Sequence, residues 1–149
     1  MNTRSAVHLV LLATALGVGS SRQAHACQCG TRPPVDIAFA QSEVVFAGVV
    51  TAIEPAPTYP EGFVQGFPVS SLVHFRVQKR WKGAAATELT LTAASTCAYS
   101  FQLGRAYLVF AGSHGLTGGV LEASKCLPNK PYAQAAAELA FLGPPTARK

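Results

Sequence analysis

Two cysteines one residue apart, Cys27-Gln28-Cys29, together with Cys97 and Cys126, are the side chains of this sequence best suited to chemistry. Four thiolates can hold a structural zinc ion, and in an oxidising compartment the same four can form two bridges. Spacing and destination decide between these. Structural zinc sites usually draw their ligands as two close pairs, whereas Cys97 and Cys126 lie far apart in the chain. The residues before Cys27 read as a secretory leader, with Arg4 at the start, an apolar stretch from Ala6 to Val18, and the small-residue cleavage signal Ala24-His25-Ala26. Residues 1–26 are therefore expected to be a signal peptide, and cleavage after Ala26 makes Cys27 the first residue of a single domain, 27–149.

Export implies a secreted or periplasmic location, where an even number of cysteines reads as two disulfides. A Cys27–Cys29 bridge would close a trivial loop. The two long-range pairings constrain the unfolded chain far more, and the sequence does not choose between them. A lipoprotein signal also ends at a cysteine but usually carries Leu three positions earlier, where this chain has Ala24, so simple cleavage is favoured over a lipid anchor on Cys27. The apolar stretch is shorter than the ~20 residues of a membrane-spanning helix, and no later segment comes nearer, so no transmembrane segment is expected.

Other candidates carry less. No metalloprotease helix, nucleophile elbow or phosphate-binding glycine loop is present. Ser113 and His114 are adjacent within a glycine-rich turn, which suits turn residues better than a nucleophile and its base. The basic run Arg76 to Lys82 has Trp81 inside it, as nucleic-acid binders do, but export points instead to a solvated strand face, with an anionic glycan or membrane surface as the alternative, and no nucleic-acid partner is expected. The net charge of +5 falls to +3 once Arg4 and Arg22 leave with the leader, too little to dictate a partner.

The elements that must position the cysteines are mainly strands. Val44 to Ile53 is apolar on both faces, as in a strand buried on two sides or closing a small barrel. In Leu72 to Trp81, Val73, Phe75, Val77, Lys79 and Trp81 share one phase, while His74, Arg76, Gln78 and Arg80 share the other. Glu88 to Thr92 places Leu89 and Leu91 inward and Thr90 and Thr92 outward. Ala106 to Ala111 and Val120 to Ser124 complete five strands, parted by the turn Gly112 to Gly119. Pro55 to Ser71 is a long Pro/Gly loop whose Tyr59, Phe63 and Phe67 suit either self-packing or a contact tip. A short helix is expected over Pro34 to Ser42, with Ile37 and Phe39 packing on the barrel mouth. A second should start near Pro131 and present Tyr132, Ala135, Ala136, Leu139 and Leu142 until Gly143-Pro144-Pro145 stops it, leaving Thr146 to Lys149 as a tail.

In this order, Cys27-Gln28-Cys29, Pro33-Pro34, Ala38-Phe39, the first strand, Trp81-Lys82-Gly83, Cys97-Ala98-Tyr99 and Leu121 to Cys126 resemble the tissue inhibitor of metalloproteinases family within the netrin-like group. The resemblance covers nearly the whole mature chain. It implies an all-β fold, a five-stranded Greek-key barrel of the oligonucleotide/oligosaccharide-binding (OB) type with flanking short helices. It also implies the bridges Cys27–Cys97 and Cys29–Cys126; Ala40 stands where family members carry a further cysteine, so no third bridge is expected. By the same resemblance, the main-chain amine and carbonyl of Cys27 would chelate the zinc of a target metalloprotease, Gln28 would enter its specificity pocket, and Cys27, Gln28 and Cys29 would form the inhibitory ridge. The expectation is an exported inhibitor without cofactor or catalysis, with a zinc metalloprotease as partner. The alternative is a non-inhibitory binding or structural module of the cell envelope.

Overall fold

A computed structural model describes residues 27–55, 71–93, 95–113 and 120–146. The leader and the aromatic residues Tyr59, Phe63 and Phe67 lie outside the described residues. Helix α1 (Val35–Gln41) precedes β1 (Val44–Glu54), β2 (Ser71–Lys82), β3 (Glu88–Ala93), β4 (Ala106–Ser113), β5 (Leu121–Glu122) and β6 (Lys130–Pro131). A 3-10 turn (Tyr132–Gln134) then leads into α2 (Ala136–Leu142). The sheet runs β1-β2-β3-β5-β4, and β1 pairs again with β4, so five strands close into an all-β barrel of the OB type. β3 and β5 meet in parallel at Thr92 and Glu122; the other pairings are antiparallel. β6 is an addition on the edge of β4.

One strand has to bend to serve both β2 and β4. β1 does so through three register shifts against β2, the kind of bulge that sharpens strand curvature. At the second shift Gly48 is required sterically, because a Cβ there would lie 2.8 Å from the Arg76 carbonyl oxygen. The barrel interior is filled by Phe46, Val50, Val73, Phe75, Leu91 and Val109, with neighbours on the same faces. Phe75 stands edge-on to Phe46 and Phe101, with centroids 5.3 and 4.9 Å apart, a favoured aromatic geometry.

The doubly apolar pattern of β1 recurs in β4, and its cause is a second core outside the barrel. There Val45, Leu108 and Phe110 pack with Ala38 of α1 and with Ala135, while Phe39, Trp81, Leu139 and Leu142 flank them. Each helix has only seven residues, too short to be stable alone, so this burial holds them. β2 adds polar fastenings from its last residues. Lys82 donates to the Phe39 and Ala40 carbonyls at the C-terminal end of α1, at 2.8 and 3.0 Å, and Trp81 Nε1 donates to the Gly143 carbonyl after α2 at 2.9 Å.

Several expectations are corrected. Ile37 is 43% exposed, and the small Ala38 takes the inward position, letting α1 approach β4 closely. Thr92 is buried rather than outward, because β5 covers it and its hydroxyl donates to the Leu121 carbonyl. Lys79 is exposed despite sharing the inward phase, with its ammonium on the Tyr132 hydroxyl at 2.7 Å. The fifth strand is two residues long, because the chain turns at Ser124 after an isolated bridge to Ala98. Pro131 belongs to β6 and not to a helix, and Thr146 is no free tail residue: its N–H donates to the Arg80 carbonyl at 2.7 Å.

Candidate functional site

The segment from Cys27 to Pro34 has no regular structure of its own. Two covalent bonds hold it: Cys27 to Cys97 and Cys29 to Cys126, which is the pairing the resemblance implies. The receiving loops are joined to each other before the bridges are considered. Tyr99 N–H donates to the Ala123 carbonyl and Lys125 N–H to the Cys97 carbonyl, both at 2.7 Å. Each loop also carries the same local device. Ser95 Oγ accepts from Cys97 N–H at 3.2 Å, and Ser124 Oγ accepts from Cys126 N–H at 3.1 Å, so a serine two residues ahead sets the turn in which each cysteine sits. The repeated Ser-x-Cys was available in the sequence as a signal for this.

Beneath the loops lies a carboxylate that the alternating pattern of the fifth strand does not reveal. Glu122 is 2% exposed, and Ser95 Oγ donates to it, fastening the loop after β3 to β5. Arg32 ties the other end of the segment down, donating to the Lys125 carbonyl at 3.2 Å. The result is a ridge in which Cys27 is half-buried while Gln28, Cys29 and Gly30 are exposed. Gln28 therefore stands between two anchored residues with its side chain accessible. Gly30 meets no steric demand, since a Cβ there would touch nothing within 4 Å.

The sulfurs of Cys27, Cys29 and Cys126 lie within 4.8 Å of one another, a spacing that thiolates could use for a metal. All four cysteines are consumed in bridges, and a disulfide sulfur has neither the charge nor the basicity of a thiolate ligand.

Beside the ridge, Tyr99 is half-buried. Burial, and then the neighbouring Tyr107, push its phenol above the usual value of 10.0, while the Arg32 charge partly opposes the shift; the phenol is protonated at neutral pH. Of the other sequence candidates, Ser113 is occupied structurally: its N–H donates to Glu43 Oε1 at 2.7 Å and its hydroxyl to the same oxygen. His114 lies outside the described residues. The basic run is largely used within the fold, with Lys79 on Tyr132, Arg80 on the Gly83 carbonyl and Lys82 on α1, and Arg76 exposed. Among the described residues no helix is long and apolar enough to cross a membrane.

No family model matches this chain, and no curated protein matches it.

Proposed function

We propose that this protein is an exported, non-catalytic inhibitor of a zinc metalloprotease, related to the tissue inhibitor of metalloproteinases family, acting through its mature amino terminus. One observation carries the reading: two bridges, at what would be the first and third mature residues, clamp the chain to two interlocked loops and leave Gln28 exposed between them. A catalytic zinc keeps a fourth position open for water. An amine and carbonyl on one residue can displace that water as a bidentate ligand, and an α-amino group titrating near 7.7–8.0 loses its proton cheaply at neutral pH. A ligand already held rigid loses little entropy on binding. Gln28 would then enter the adjoining pocket of the protease and set selectivity.

The reading requires cleavage after Ala26 and an unmodified Cys27 amine. Amino-terminal sequencing and intact mass before and after reduction test both requirements. The decisive variant adds one alanine before Cys27, which removes the free amine from the carbonyl it shares with zinc but leaves the barrel and bridges in place. Inhibition across a panel of zinc endopeptidases should be lost in that variant with an unchanged melting temperature. Equal inhibition by the extended protein would remove the ridge from the mechanism, and inhibition by neither protein would favour a non-inhibitory envelope module.

A further inference from the structure

A cavity of about 360 Å³ opens at the end of the barrel next to the ridge, large enough for a small ligand. Its lining is mixed. Val73 and Ala98, both buried, belong to its lining, and the half-buried rings of Tyr99 and Phe101 wall it. Ser100 and Lys125, both exposed, stand at its mouth. Apolar Ile53 is also exposed there, and Ser95 and Thr96 add hydroxyls, so the lining mixes apolar and polar groups; among the described residues its one charged member is Lys125, and it contains no carboxylate.

Three features make this a prepared site. Its walls are fixed: Phe101 is stacked edge-on against Phe75 and Tyr107, and the Tyr99 and Lys125 main chains are hydrogen-bonded across the two loops that also bear Cys97 and Cys126. Its cation is not neutralised by the described residues, among which no carboxylate oxygen lies within ion-pair distance of Lys125; its ammonium donates to the Thr96 carbonyl at 3.5 Å. The carboxylate nearest to it in sequence, Glu122, is buried and takes the Ser95 hydroxyl. A second cation, Arg32, is held on the same loop, donating to the Lys125 carbonyl at 3.2 Å.

We propose that this cavity binds a small organic acid, its apolar body against Val73, Ala98 and Phe101 and its carboxylate at the Lys125 ammonium. Burying the body removes apolar surface from water, and a charge-assisted hydrogen bond at the mouth gives the acid its advantage over a neutral analogue. The site is independent of the Cys27 amine.

Phenylacetate and its neutral analogue phenylacetamide are suitable probes. Titrated into the full exported protein with both bridges intact and followed by amide NMR, phenylacetate should give saturable shifts centred on residues 98–101 and Lys125. Phenylacetamide should bind several-fold more weakly. Lys125→Met, a change at an exposed side chain, should weaken phenylacetate about tenfold and leave phenylacetamide unaltered, whereas Lys82→Met, remote from the cavity, should change neither. Absence of saturable shifts with phenylacetate, equal affinity for acid and amide, or indifference to Lys125→Met would each overturn the proposal. The variant with alanine before Cys27 should bind phenylacetate normally, so failure of the inhibitory reading and failure of this one are separately visible.

Discussion

Asn129 shows how one side chain can stand in for a strand. The outer edge of β4 is paired with β5 at Gly112 and Ser113 and with β6 at Tyr107 and Leu108, which leaves the Phe110 N–H facing the gap between them. Asn129 Oδ1 accepts that N–H at 2.6 Å, and its amide nitrogen donates to the Ser124 carbonyl at 2.8 Å, closing the turn that carries Cys126. The residue is 4% exposed, so neither group can be satisfied by bulk water once the amide is removed. Asn129→Leu should therefore cost about 2–3 kcal/mol in urea unfolding, and Asn129→Asp, which keeps the acceptor and loses the donor, should fall between it and the native protein. A Leu variant of native stability would refute this account. Nothing in the sequence marked Asn129 as special: an asparagine before Lys-Pro reads as an ordinary loop residue until the strands that fail to meet there are known.

At the level of elements, legibility followed hydrophobic period. β1, β2, β3 and β4 each carry enough alternating or doubly apolar residues to be read from sequence within a residue or two of their ends, and Pro34 and Gly143 bracket the helices. β5 and β6 were poorly legible, because two residues contain no period and their pairing is decided by partners far away in the chain. The cysteine ridge was legible as a motif, whereas the cavity beside it was not, since it is assembled from β1, β2, β3 and two loops. The link between β6 and α2 belongs to the same class. Lys130 donates to Glu138 Oε1 at 2.6 Å, and Glu138 is buried. Burial alone would raise the Glu138 carboxyl, but the Lys130 hydrogen bond and charge, with help from the backbone, bring it below the ordinary 4.5. A depressed carboxyl stabilises the fold above its unfolded value, and that contribution is lost as pH falls through the folded value. Lys130→Met should cost about 1–3 kcal/mol at pH 7, discounted for the partial exposure of the lysine, and the gap to the native protein should narrow at an acid pH well below the ordinary carboxylate range, where the carboxyl protonates. Denaturant titrations at the two pH values provide the comparison; a gap that is constant with pH would rule out the ion pair as its source.

For the whole molecule, stability rests on a core shared between the inside and the outside of one barrel and on bridges that span most of the described chain. Cys27–Cys97 and Cys29–Cys126 join residues 70 and 97 apart in sequence. Each loop taken alone corresponds to about 4–5 kcal/mol of unfolded-state entropy, but the loops share most of their length. Once Cys27 is tied to Cys97, the second bridge has only to close the roughly 30 residues beyond Cys97, so its removal by paired Cys29→Ser and Cys126→Ser changes should cost about 3–4 kcal/mol. Thermal unfolding of that variant and of the fully reduced protein measures the two increments, and a second increment equal to that of an isolated loop would show that the loops do not overlap in the unfolded chain. The closeness of the two bridges has a kinetic side as well. Cys27 Sγ is 3.8 Å from Cys126 Sγ and 3.9 Å from Cys29 Sγ, so a thiolate released at either Cys29 or Cys126 finds the neighbouring bridge already within reach. Attack on Cys27 sulfur would form a new bond to it and expel Cys97 as thiolate, conserving the number of bridges while changing the partner. Partial reduction should therefore scramble the amino terminus among neighbouring partners instead of simply freeing it, and once the Cys29–Cys126 bridge is reduced the molecule would lose its geometry at Cys27 before it loses its second disulfide.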